Sequence, residues 1–498
     1  MNSPPGAAGT GPDAQETRRG GFHGGAGAGP RVRRWHAELA WLPGRGVRSG
    51  VLIEASGERF SVVTPDVAAG DLPVGTVALP GLTLPGLANA HSHAFHRALR
   101  GVGQAGHGSF WTWRERMYQL AERLDPASYL ALARAVYAEM ALAGVACVGE
   151  FHYLHHGPGG TPYGDPNEMG RMLIEAAAQA GIRITLLDTC YLTGGLAADG
   201  SPQPLSGAQL RFSDGDADRW AQRAAGLGIG RLGIDQHGSG QQGVLAPHAR
   251  AGAAIHSVRA VPPGQMPPLI AWSHRYGAPL HVHLSEQPAE NEACLAAYGA
   301  SPAQVLDGAG ALGPRSTVVH ATHLTGRDVE VLGGSRTAAC LCPTTEADLA
   351  DGIGPASALA AAGCPLTLGS DSHAVIDLLE EARRVELGER LATGRRGHFS
   401  AGALARAATG AGHACLGWPD AGDIAPGALA DLVTVSLDTP RLAGTCAGTA
   451  LESVIFAGTS ADIRDVVISG RDVVRDGRHL LVPDVPAALS SAIRPLLG

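Results

Sequence analysis

Two histidine pairs, each split by a single residue, are the first places in this sequence where chemistry can reside. His91-Ser-His93 closes the apolar run 82–90, and His281-Val-His283 leads into Leu-Ser-Glu286. Alternate residues of an extended strand share one face, so each pair turns two imidazoles the same way. Imidazoles so placed can share one divalent ion. Glu286 follows His283 by three residues. A ligand with an acid beside it suits metal-assisted hydrolysis, in which one group holds the ion and the other moves protons. His281 faces the same way but lies deeper, a place for packing or for support of the ligands.

His320 ends the apolar run Thr317-Val-Val, and Asp371 ends Leu368-Gly-Ser. An aspartate there can bind a metal and accept a proton from water. It can also cap the helix that follows. His323, three residues beyond His320, reads as structural. Cys340 and Cys342 lie in an apolar run and read as core thiols, with metal ligation the alternative. Three histidines and one aspartate form a donor set that among common metals suits zinc.

One absence narrows the chemistry. All 38 basic residues are arginine, and the chain has no lysine. A phosphate-loop lysine, a Schiff-base lysine and a carbamylated lysine bridging two metals are therefore all excluded. A single ion is expected.

These residues need elements to hold them. Apolar segments near 84–90, 145–151, 182–188, 243–247, 280–284, 317–320, 338–342 and 366–371 read as strands, with helical stretches between most of them. Asp125-Pro126 marks a helix start and Gly144 its stop. Eight such units predict an α/β fold, a (β/α)8 TIM-type barrel, whose site lies at the C-terminal ends of the strands. The candidate residues end strands one, five, six and eight of that pattern. Residues 31–80 and 420–485 read instead as short strands and turns, and are expected to join as one small β-sandwich domain beside a barrel spanning 81–419. Residues 1–30, rich in Gly, Ala and Pro, are expected to be a disordered tail.

Composition limits the function class. The chain has 498 residues, 45% of them hydrophobic, and a net charge of −8. That is enough apolar material for a large core, and the acidic balance argues against nucleic acid as a partner. No apolar run reaches the roughly 20 residues that span a bilayer, and no secretory signal is read at the N-terminus. Eight scattered cysteines fit reduced thiols and a cytoplasmic location.

Beyond the isolated residues, whole segments resemble a known family. They are Leu84-Pro-Gly-Leu-Ala-Asn-Ala-His-Ser-His-Ala-Phe-His-Arg-Ala, Phe110-Trp-Thr-Trp-Arg-Glu, Glu150-Phe-His-Tyr-Leu-His-His, Ile255-His-Ser-Val-Arg-Ala-Val, His281-Val-His-Leu-Ser-Glu-Gln and Leu368-Gly-Ser-Asp-Ser-His. The chain resembles the amidohydrolase superfamily over about residues 32–485, and within it the formimidoylglutamate deiminases of histidine degradation. The Phe-Trp-Thr-Trp-Arg and Glu-Phe-His-Tyr-Leu-His-His segments are the more specific signals. The resemblance implies His91, His93, His283 and Asp371 as ligands of one Zn2+. It implies Glu286 as the proton shuttle and His320 as the group that polarises or holds the substrate. It also implies Arg114, Tyr153, His256 and Arg259 as holders of the two carboxylates of N-formimino-L-glutamate, a task suited to arginine forks. His96 stands near the substrate where the family commonly has Gln, and the stretch between His93 and Phe110 is shorter than usual. A small dicarboxylate is the expected partner and a homodimer the expected assembly. Two other readings are a deaminase of a purine, pterin or triazine-like ring, and a non-catalytic binding protein that keeps the barrel.

Overall fold

The computed structural model describes residues 1, 32–105, 110–228 and 245–497; the expected tail lies outside them, Met1 excepted. Eight strands form one parallel sheet: Leu87–Ser92, Val145–His152, Arg183–Cys190, Ala249–Ile255, Leu280–Leu284, Ser316–His320, Ala338–Leu341 and Leu366–Leu368. Each pairs with the next in chain order. The sheet curls until its edges meet, where Ser92 and Asp371 form a single parallel bridge. Nearly every strand residue is buried. Parallel strands covered on both faces read as continuous apolar runs, which is why seven of the eight announce themselves in sequence.

Strand four corrects the sequence reading. It was expected at 243–247 and stands at Ala249–Ile255, while residues 229–244 lie outside the described part. Its sequence, Ala-Arg-Ala-Gly-Ala-Ala-Ile, carries one strong β-former. Pairing with Arg183–Cys190 and Leu280–Leu284 holds it in register, so tertiary contact overrides weak local preference.

The run read as one strand at 84–90 is divided at Gly86. Val77–Pro85 belongs to a second sheet and Leu87–Ser92 to the barrel. A Cβ at Gly86 would lie 2.7 Å from the Cβ of Ala146 and 2.8 Å from that of Asp431, so only glycine lets the chain pass between the two sheets. The second sheet also has eight strands and draws on both ends of the chain. Val77–Pro85 runs parallel to Val32–Leu42 on one side and antiparallel to Leu432–Val435 on the other. Trp35, Ile53, Phe60, Leu79, Leu432 and Val467 build a separate small core there.

The helix expected after Asp125 runs Pro126–Leu142. The Asp125 carboxylate accepts from the Ser128 amide at 2.7 Å, and the chain leaves through Gly144 at φ 83°. Among the described residues no helix is long and apolar enough to cross a membrane. Cys340 and Cys342 are buried and pack with Ala90 and Val319; Cys342 also stands with His320 and Glu346 in a group whose donor atoms could hold a metal.

Candidate active site

The first barrel strand carries His91 and leads directly into His93, the fifth carries His283, and Asp371 follows the eighth. Their ligand atoms lie within 4.8 Å of one another, and all four side chains are buried. Asp371 Oδ1 is 3.2 Å from His91 Nε2 and 3.4 Å from His93 Nε2, and the Nε2 atoms of His91 and His283 are 3.1 Å apart. Two backbone carbonyls set the tautomers. His93 Nδ1 lies 2.9 Å from the Phe151 oxygen and His283 Nδ1 lies 2.8 Å from the His256 oxygen. A carbonyl only accepts, so in each ring Nδ1 carries the proton and Nε2 turns a lone pair toward the centre. Burial, with the neighbouring imidazoles, holds all three histidines far below their ordinary pKa. Neutral nitrogens and a carboxylate oxygen therefore aim electron pairs at one point, which a divalent cation satisfies. Ligands about 2.0 Å from a tetrahedral zinc stand roughly 3.3 Å apart, so the donor set fits that ion.

Backbone strain collects at the same end of the barrel. Ser285, His320, Ala321, Asp371 and His373 all have positive φ, from 42° to 69°. A non-glycine residue held there costs on the order of 1–3 kcal/mol, and the surrounding structure must fix it. Of these residues, His320 and Asp371 present their side chains to the pocket at the barrel mouth.

His320 stands between acids. Its Nε2 is 3.6 Å from Glu286 Oε1 and 4.0 Å from Asp371 Oδ2, and its Nδ1 is 3.5 Å from Glu346 Oε1. Burial alone would depress its pKa, but Glu286, Glu346 and Asp371 raise it well above the ordinary value. Burial likewise raises Glu286. This is a pair that can pass a proton within a closed site. His281 lies deeper, with Nε2 3.2 Å from the Cys415 oxygen, and His323 Nε2 meets the Asp351 oxygen at 2.7 Å. Both serve the scaffold, as their positions in sequence suggest.

Glu286, His320, His96, Arg114, Tyr153, His256 and Arg259 line one pocket of about 580 Å3, open mouth included, together with His93, His283 and Asp371. Arg114 donates through Nε to Tyr118 Oη at 2.5 Å and through Nη2 to the Gly194 oxygen at 3.1 Å. Arg259 is 3.6 Å from Glu290 and 4.0 Å from Glu286. His96 Nε2 and Tyr153 Oη are 2.9 Å apart, and His256 Nδ1 is 3.2 Å from Ser257 Oγ. The pocket thus has a ligand cluster at its floor and two guanidinium groups in its walls.

Sequence reasoning missed several members of this site. Tyr118, Tyr191 and Phe212 line the pocket, and Gln209 Nε2 reaches the hydroxyls of Tyr118 and Tyr191 at 3.1 and 3.0 Å. Tyr118, Tyr191 and the turn carrying Gln209 and Phe212 come from three distant parts of the chain, and no spacing links them. Glu150, the first residue of the Glu-Phe-His-Tyr-Leu-His-His segment, is fully buried. It accepts from Ser92 Oγ and the Ala94 amide, both at 2.7 Å, on either side of His93, and burial pushes its pKa up to about 7. A second cluster of potential ligands, His152, His155 and Asp188, already has its cation: Arg223 holds both carboxylate oxygens of Asp188, at 2.7 and 2.9 Å.

Residues 82–473 match the model of the amidohydrolase family. Formimidoylglutamate deiminase of Pseudomonas aeruginosa is 37% identical over 454 residues, covering 89% of this chain and 95% of its own length. The 8-oxoguanine deaminase of the same organism is 29% identical over 369 residues, 73% of this chain and 76% of its own. The crystal structure of an amidohydrolase from Brucella melitensis superposes with a TM-score of 0.82 at 31% identity, covering 94% of this chain and 100% of that one.

Proposed function

The chain belongs to the amidohydrolase family and is a hydrolase of carbon–nitrogen bonds, and from that premise we propose that it deiminates N-formimino-L-glutamate to N-formyl-L-glutamate and ammonia. The observation that carries this reading is the presence of Arg114 and Arg259 in the same pocket as the ligand cluster. A substrate with two carboxylates and one amidine needs cations at one end and a hydrolytic centre at the other. The name of the Pseudomonas relative agrees with it.

On this reading a divalent ion, zinc by the donor set, is held by His91, His93, His283 and Asp371 and supplies Lewis-acid polarisation and activation of water. Asp371 accepts the proton of the attacking water. His320 stabilises the tetrahedral adduct at the former amidine carbon through Nε2, the nitrogen that faces Glu286 and Asp371. Glu286 passes a proton to the departing nitrogen, and ammonia leaves. Arg114, Arg259, Tyr153 and His256 fix the carboxylates, and His96 orients Tyr153 through their shared hydrogen bond. The enzyme then acts in histidine degradation, in the cytoplasm.

A second reading has its own observation. Trp113, Tyr118, Tyr153, Tyr191 and Phe212 line the pocket, and such walls stack on a planar ring. The likeness to 8-oxoguanine deaminase points the same way. An ammonia-release assay on N-formimino-L-glutamate, 8-oxoguanine and 5-methylthioadenosine separates the two. Turnover of the diacid alone is expected, and turnover of a ring without the diacid would overturn the proposal.

A further inference from the structure

The metal ligands straddle the weakest joint of the barrel. His91 stands on the first strand and His93 directly after it, and Asp371 follows the eighth, which is only Leu366–Leu368. Across that seam the pairing is a single bridge rather than a ladder. The Asp371 amide donates to the His91 oxygen at 3.0 Å, and the His93 amide donates to the Asp371 oxygen at 3.2 Å. Gly369 permits the approach, since a Cβ there would lie 2.7 Å from the Cβ of His91.

Buried side chains supply what the missing ladder does not. Asn89 Nδ2 donates to Ser370 Oγ at 2.7 Å, and the Ser370 amide returns a bond to Asn89 Oδ1 at 2.9 Å. The His373 ring touches both sides, with Nδ1 2.9 Å from Ser370 Oγ and Nε2 3.1 Å from Ser92 Oγ. Ser92 Oγ donates to Glu150 at 2.7 Å. The directions follow from the donors each group owns. The Ser92 hydrogen goes to Glu150, so Ser92 accepts from His373 Nε2–H. His373 Nδ1 is then an acceptor and takes the Ser370 hydrogen, leaving Ser370 Oγ to accept from Asn89. The chain runs one way, with every hydrogen used. Arg100 Nε donates to the His373 oxygen at 2.8 Å and steadies its backbone, where φ is 58°.

We propose that His373, acting through Ser92 and Ser370, is a positioning residue that holds Asp371 in register with His91 and His93, so that metal affinity depends on a ring that ligates nothing. This inference rests on the metal reading above. Supporting partners of metal ligands typically contribute 10- to 100-fold in affinity.

The test uses the full-length protein, stripped of metal and titrated with zinc against a chromophoric chelator. His373→Ala and Ser370→Ala are each expected to weaken zinc binding by about 10- to 100-fold and to shift the visible absorption of the cobalt-substituted protein. Thr409→Val removes a buried hydroxyl bond elsewhere, from Thr409 Oγ1 to the Ala405 oxygen, and is expected to leave zinc affinity at the parent value. Should His373→Ala fail to fold, Ser370→Ala decides alone by the same measure. Zinc affinity within a factor of two of the parent in the folded variants, with an unshifted cobalt spectrum, overturns the proposal. A parent that binds no zinc overturns the metal reading itself, and this inference with it.

Discussion

Glu286 is buried, faces His320 at 3.6 Å and has Arg259 at 4.0 Å. Its substitution separates chemistry from binding. Glu286→Gln keeps the shape and removes the proton carrier, so kcat should fall by roughly 10²- to 10⁴-fold while zinc content, read by elemental analysis, stays at the parent level. Arg259→Ala acts on recognition. A charged hydrogen bond contributes about 1.5–3 kcal/mol, so kcat/KM for N-formimino-L-glutamate should drop by roughly 10- to 150-fold, and an unchanged value would remove Arg259 from the carboxylate site. At this scale the sequence was legible where chemistry follows a period. His91 and His93, or His281 and His283, declare a shared face because a strand repeats every two residues. Tyr118, Tyr191 and Gln209 meet only through the fold, and no spacing announces them.

At the scale of elements, Gly86 links the two sheets within a single residue. Gly86→Ala places a methyl against Ala146 and Asp431, and a crowded core site costs about 1–3 kcal/mol. Thermal denaturation should show a lower Tm, with a zinc affinity close to the parent's because the ligands lie at the opposite strand ends. A Tm equal to the parent's would mean that the sheets part easily. The helix at Pro126–Leu142 was readable from its cap, since an aspartate before a proline leaves few alternatives. Strand four was not readable, because alanine and glycine carry no strand preference and only its neighbours fix it. The division of the run at Gly86 was equally hidden. Two apolar strands in series look like one until the sheet that takes each of them is known.

For the molecule as a whole, buried neutral histidines set the response to acid. Burial lowers His281 to about 4 and His413 to about 3. An unfolded histidine takes up its proton near pH 6.5, whereas these stay neutral in the folded state, so the unfolded state binds more protons between those values. The stability they contribute is complete above about pH 6.5 and is lost as pH falls toward 4 and then 3, at about 1.4 kcal/mol per pH unit for each group. Denaturation midpoints measured from pH 7 to 4 should fall steadily, and a flat profile would refute this. Metal removal acts in the same sense: zinc added to stripped protein should raise Tm in proportion to the logarithm of its concentration above Kd. The strand Val77–Pro85, whose one flank belongs to Leu432–Val435, has a consequence for biosynthesis. A nascent chain emerging from the ribosome carries that flank bare until Leu432–Val435, about 350 residues later, has been made, and unpaired strand edges are where chains stick to one another. Synthesis arrested before Leu432 would therefore yield a product prone to aggregate, however complete its barrel.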